Sequence, residues 1–165
     1  MLSMTCAAKN AVLVLHEIYG INRHIREVCG RYHSLGYDIH CPNLLERKHP
    51  FPYSRQDDAY AYFMGRVGFD ASAKVDRLLD ELSSRYARIF LVGYSVGATI
   101  AWLASQNGNC AGAVCHYGTR IRDYPAITPR CPVLLIAGEH DEAFPCRDIG
   151  SKGNYPHPAG KTWFL

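Results

Sequence analysis

Five short apolar runs, at 11–15, 37–41, 89–92, 111–115 and 133–137, are spaced along the chain and bounded by turn-forming or polar residues. They are rich in Val, Ile and Leu and continuously apolar rather than alternating, the pattern of strands covered on both faces of a parallel sheet. Between them the apolar positions step by three and four. In 24–35, Ile25, Val28, Cys29, Tyr32 and Leu35 fall on one helical face, and Gly36 supplies the stop signal. In 70–86, Val75, Leu78, Leu79, Leu82 and Tyr86 repeat the pattern, with Asp70 placed to cap the amino end. A third helix is predicted over 95–105. The stretch 42–53, with Pro42, Pro50 and Pro52, reads as a surface loop after a strand, in a position where loops often line a site. Beyond Pro145 the pattern weakens, and 154–156 is read as a final short strand.

Strand and helix alternating in this order predict an α/β protein with a doubly wound, mostly parallel sheet and right-handed crossovers. The length of 165 residues fits a single domain over 1–165, and 48% apolar against 20% charged residues is an ordinary globular balance. The 18 Lys and Arg and 15 Asp and Glu leave a net charge of +3, scattered rather than gathered into the stripe that nucleic-acid binding requires. The first residues lack the apolar region of a signal peptide, and no apolar run has the length of a membrane span. A soluble, cytoplasmic protein with no nucleic-acid or membrane partner is therefore expected. The 7 cysteines form no C-x-x-C pair and no zinc-type spacing with histidine, so reduced, mostly buried thiols and no metal site are predicted.

The chemistry is concentrated where the run at 89–92 enters Gly93-Tyr94-Ser95-Val96-Gly97 and a helical pattern follows. Strand, G-x-S-x-G and helix together form a nucleophile elbow, in which the glycines let the backbone turn sharply and the serine projects above the sheet. The helix start favours developing negative charge, and the Val96 N–H is placed to form half of an oxyanion hole. Asp141 follows the last buried run at the carboxyl edge of the sheet, where ligand sites of open α/β folds form, and is the candidate orienting acid. A Ser, Asp, His order requires a histidine beyond Asp141, and His157 alone qualifies. His16 and His116, at strand ends, are read as core or pocket-wall residues, and His24, His33 and His49 as exposed.

These features resemble the dienelactone hydrolase family of the α/β-hydrolase superfamily. Val12-Leu13-Val14-Leu15-His16-Glu17-Ile18-Tyr19-Gly20-Ile21-Asn22 is similar to the family's strand ending in an E-I-x-G-x-N loop. Cys41-Pro42-Asn43-Leu44 resembles its C-P-D-L turn, and the segment from Cys131 to Asp141 resembles the strand that delivers its acid. The resemblance implies an α/β-hydrolase fold, Glu17 beside the nucleophile as a tuning or substrate-binding carboxylate, and the Ile18 N–H as second oxyanion donor. A salt bridge from Glu17 to Arg23 is the alternative. Ser95 stands where the best-known members carry cysteine, so a base must activate it. His157 follows Tyr155-Pro156 much as the family's histidine follows a Y-P turn, while the family's A-G-H-x-F pattern also aligns with 159–164 and would put Lys161 at that position.

The resulting expectation is a hydrolase of a small ester or lactone that uses Ser95, His157 and Asp141, with no cofactor. A catalytically silent hydrolase-fold protein binding a small molecule or a partner is the alternative. Arg55, Arg66 and Arg120 are candidates to hold a substrate carboxylate. The sheet reads as shortened at both ends: no strands are predicted before Ala11, 141–155 is too short for the usual helix, and no helix follows Phe164. The uncovered edges and faces that this implies would suit a homodimer.

Overall fold

The computed structural model describes residues 1–138 and the backbone of Thr162–Phe164. A seven-stranded sheet organises these residues in the order β1-β3-β2-β4-β5-β6-β7. Its strands are β1 (Leu2–Met4), β2 (Asn10–Leu15), β3 (Asp38–Cys41), β4 (Arg88–Tyr94), β5 (Cys110–His116), β6 (Val133–Ile136) and β7 (Thr162–Phe164). All neighbours are parallel except β1, which runs antiparallel to β3. The helices are α1 (Arg23–Ser34), α2 (Gln56–Tyr62), α3 (Ser72–Ser83) and α4 (Val96–Ala104).

The continuous apolar runs lie where the sheet is covered on both sides. In β2, Val12 and Val14 face one layer, where Ile25, Val28 and Cys29 of α1 pack with Ile39, Cys41, Val92 and Tyr94. Ala11, Leu13 and Leu15 face the other, joining Val75, Leu79 and Leu82 of α3 and Ile100, Ala101 and Trp102 of α4. Asn22 caps α1, its side-chain oxygen accepting from the Ile25 N–H at 3.0 Å. The opposite treatment falls to α4, in which every residue but Leu103 is buried, so the helix carries no polar face.

Chain order fixes where a site can form. The connection leaving β2 runs to β3 on one side, whereas β4 takes its place on the other side of β2. Connections diverge at the carboxyl ends of β2 and β4, the topological switch point at which open α/β sheets bind ligands. Leu15 pairs with Gly93 there, so the residues that follow on both strands emerge side by side. The start of α4 also lies directly on the end of β2: a Cβ on Gly97 would stand 2.3 Å from the Leu15 carbonyl oxygen and 2.6 Å from that of His16.

Several elements differ from those predicted. β1 pairs Leu2 with Cys41 and Met4 with Ile39, so the sheet has a strand before Ala11. Only three residues long and half exposed, it leaves little periodicity to read. Residues 56–67 hold α2 and a wider π turn, Phe63–Val67, after the proline-rich loop. Asp70 does not cap α3. It lies in a separate one-turn helix, Phe69–Ala71, which starts after Gly68 at φ 63° and uses up the residues an N-cap would need. Residues 154–156 and Cys146 lie outside the described residues. Five of the six described cysteines are buried and free, and Cys6 is exposed.

The amino-terminal segment is held by a buried polar chain. Asp38 accepts from the Cys6 and Ala8 N–H groups at 2.7 and 3.2 Å and from the Tyr86 hydroxyl at 3.0 Å. That leaves the Tyr86 oxygen to accept from His40 Nε2, and His40 Nδ1 to accept from the Ser3 hydroxyl. Burial pushes the Asp38 carboxyl up, but these donors outweigh it and hold the group below its ordinary value. Because the folded value is depressed, the stabilisation is present above the ordinary carboxylate range near pH 3.9 and is lost as pH falls through the folded value. Asp38→Asn is expected to lower Tm at pH 7 and to show a smaller further drop between about pH 5 and about pH 3 than the native protein, followed by circular dichroism. A second expectation contrasts two glycines in helices. Gly97→Ala should cost about 1–3 kcal/mol in urea unfolding, whereas Gly30→Ala, with open space at its Cβ, should gain about 0.5–1 kcal/mol.

Candidate active site

The elbow is built from close backbone contacts. Ser95 links the last residue of β4 to the first of α4 at φ 54° and ψ −117°, a backbone state that costs a non-glycine residue about 1–3 kcal/mol. It is held there by its own backbone groups: its N–H donates to the His116 carbonyl at 2.9 Å, and its carbonyl accepts from Ala98 and Thr99 at 3.0 and 3.2 Å. Both glycines of the pentapeptide are required by proximity. A Cβ on Gly93 would stand 2.3 Å from the Gly97 carbonyl oxygen, and one on Gly97 would meet the end of β2. The Ser95 side chain is half-buried, and its hydroxyl has no hydrogen-bond partner among the described residues.

Across the switch point, β2 runs into His16, Glu17 and Ile18. His16 is a buried clamp. Its Nδ1–H donates to the Glu17 carbonyl at 2.7 Å and its Nε2 accepts from the Leu44 N–H at 3.0 Å, so both ring nitrogens are used by the neutral ring. Burial lowers its pKa to about 4, in keeping with that neutral state. The clamp fixes the backbone on either side of Glu17, and the turn closes with the Gly20 N–H on the Glu17 carbonyl at 3.2 Å. Ile18 is buried.

The Glu17 carboxylate accepts from the Tyr117 hydroxyl at 3.0 Å. It does not pair with Arg23, which instead forms a local ion pair with Glu27 at 2.7 Å. Tyr117, at φ 43°, is a second non-glycine residue in the left-handed region beside the site. Its N–H donates to the Ile136 carbonyl at 2.7 Å, tying the end of β5 to the end of β6. Burial, then the Glu17 charge and hydrogen bond, push its hydroxyl pKa well above the ordinary range. Sequence reasoning missed this residue. The available signal was its position, two past the apolar run 111–115, at the same sheet edge as Ser95.

Aromatic rings close the opposite side of the elbow. His116 stacks on Tyr94 with centroids 4.5 Å apart and planes 5° off parallel, and His24 meets Tyr94 edge-on at 5.2 Å. Burial, and secondarily the neighbouring His24, lower the His116 pKa. His24 is thus partly buried rather than exposed, because Tyr94 reaches out from the strand end to cover it.

The structure brings Ser95, Val96, Glu17 and Ile18 together at one edge of the sheet. Val96 opens α4, where backbone N–H groups have no partner within the helix. Asp141, His157 and Lys161 lie outside the described residues, as does His140. Of the three candidate substrate arginines, Arg55 pairs with Asp58 at 2.6 Å and Arg120 with Asp123 at 3.0 Å, while Arg66 is exposed on the π turn. Among the described residues no cluster of His, Cys, Asp or Glu could hold a metal ion, and no helix is long and apolar enough to cross a membrane.

Comparison with known proteins agrees with this architecture. A carboxymethylenebutenolidase of Pseudomonas putida is 30% identical over 148 residues, covering 81% of this chain and 61% of that protein. An uncharacterized Bacillus subtilis protein, YczH, is 35% identical over 137 residues, covering 82% and 67%. The chain thus spans about three fifths to two thirds of the length of these two relatives. Among solved structures, a candidate dienelactone hydrolase from Klebsiella pneumoniae superposes with a TM-score of 0.79 at 20% identity, over 96% of this chain and 72% of that one. An esterase of Pyrococcus furiosus superposes with a TM-score of 0.62 at 17% identity, over 96% and 72%. The fold is that of the α/β-hydrolases. With the dienelactone hydrolase family model matching residues 2–151, the chain belongs to the dienelactone hydrolase family.

Proposed function

We propose that this protein hydrolyses small carboxylic esters or lactones with Ser95 as the nucleophile. The observation that carries the reading is the Ser95 backbone, held at φ 54° between two glycines that admit no side chain, at the topological switch point of the sheet. Such strain persists only where the surroundings enforce it, and here it turns a hydroxyl outward at a helix start. Family membership and the carboxymethylenebutenolidase relatives support the same substrate class.

In this reading the Ser95 oxygen attacks the substrate carbonyl carbon while His157 takes the hydroxyl proton and Asp141 orients the imidazole. The Val96 and Ile18 N–H groups receive the oxyanion. Collapse of the tetrahedral intermediate breaks the acyl–oxygen bond, and the departing alkoxide takes the proton from His157. For a lactone that alkoxide stays attached as the opened ring. Water then attacks the acyl-enzyme and gives a proton to His157, and collapse of the second tetrahedral intermediate breaks the acyl–Oγ bond, releasing the acid as His157 returns the proton to the Ser95 oxygen. Glu17, held by Tyr117, places a fixed negative charge beside the site that orients the nucleophile or the substrate.

Ser95→Ala is expected to lower turnover of a p-nitrophenyl ester by about 10³-fold or more with the fold retained. Unchanged turnover would remove Ser95 from the mechanism, and absence of turnover by the native protein would leave the catalytically silent reading. Tyr117→Phe, which frees Glu17 while keeping the ring, is expected to lower kcat/KM by about tenfold with little change in Tm.

A further inference from the structure

We propose a second ligand site, for a phosphate group, in a cationic cavity between the turn at Gly20 and Ile21 and the loop 43–50. The cavity has a volume of about 260 Å³ and is lined by Arg26, Arg47, Lys48 and His49, together with Gly20, Asn43 and apolar neighbours. Among the described residues no acidic side chain lines it. None of its basic side chains forms an ion pair with a carboxylate among the described residues. Two guanidinium groups and an ammonium group gathered without a counter-ion repel one another, and the arrangement is relieved by an anion that carries more than one charge. A single carboxylate would neutralise one of them; a phosphate group accepts from several at once.

Hydrogen bonds tie the backbone of the cavity wall. The Leu44 N–H is held by His16, and the Asn43 side-chain amide donates to the Arg47 carbonyl at 2.8 Å. Leu44 and Leu45 are buried at 2% exposure. Glu46, the one acid in this loop, takes φ 55° and is paired with Lys74. The Arg47 guanidinium carbon lies 4.0 Å from the centroid of the Phe51 ring and 5.2 Å from that of Tyr62. Ring faces position the guanidinium without using its hydrogen-bond donors, and its Nε is buried with no partner among the described residues. Arg26 reaches the cavity from α1, so the cations come from two separate elements. Nothing in the hydrolytic reading uses these residues, and the site stands whether or not Ser95 is a nucleophile.

Titration calorimetry of the whole protein at low ionic strength tests this, with pyrophosphate, inorganic phosphate and glycerol 3-phosphate as separate ligands. Saturable one-to-one binding of at least one of them is expected, weakened by about tenfold in each of Arg26→Ala and Lys48→Ala. Both side chains are exposed, so these variants should keep the native Tm. Arg47→Gln, which keeps part of the packing on Phe51, should weaken binding similarly. Tighter binding of glycerol 3-phosphate than of the inorganic ions would identify an organic phosphate ester as the ligand, and the reverse order a free ion. Ser95→Ala should bind as the native protein does. Absence of saturable binding, or affinity unchanged in the Arg26→Ala, Lys48→Ala double variant, would overturn the proposal.

Discussion

The start of α4 crosses the end of β2 at a distance that admits a hydrogen and no carbon. That contact, between Gly97 and the Leu15 and His16 carbonyls, fixes how the helix leaves the sheet. With α4 fixed, Gly93 must also be bare, because a side chain there would meet the Gly97 backbone. Ser95, midway between them, has to make the turn from strand to helix in a single step, at the cost of a positive φ. The His116 carbonyl receives the N–H that this turn would otherwise strand. The strained serine is therefore a consequence of packing two layers closely, and its exposure at the sheet edge follows from the same geometry.

The neighbouring elements serve the same edge. His16 spends both ring nitrogens on backbone groups, locking the turn that carries Glu17 and Ile18 and also the loop that begins at Pro42. Tyr117 then joins the end of β5 to Glu17 through its hydroxyl and to β6 through its N–H. Strands β2, β4, β5 and β6 are thus connected above their carboxyl ends by polar contacts as well as through the ladder. An edge held this way fixes the Glu17 carboxylate and the backbone beside Ser95 in place.

Much of this was legible in the sequence because burial on both faces leaves continuous apolar runs. The five runs matched observed strands to within two residues at each end, and Gly93 to Gly97 carried its own steric logic. What escaped notice was short or tertiary in origin. β1 has three residues and gains its place from pairing with β3 and from the Asp38 network. The α2 and π segment buries only Ala59 and Phe63, too few positions to show a period. Asp70 looked like a cap because the local pattern fits one, yet the chain spends it on an earlier turn. Tyr117 meets Glu17 across a separation of 100 residues, which no local pattern encodes. Asp141 and His157 remain assignments from strand order and family resemblance.

Labelling with a serine-directed fluorophosphonate, followed by peptide mass mapping, tests the central claim most directly. The reagent needs an activated hydroxyl with an oxyanion site beside it, not merely an exposed one. The account predicts one adduct per chain, on the peptide that carries Ser95, and none on Ser95→Ala. An unlabelled native protein, or an adduct mapped to another residue, would contradict it.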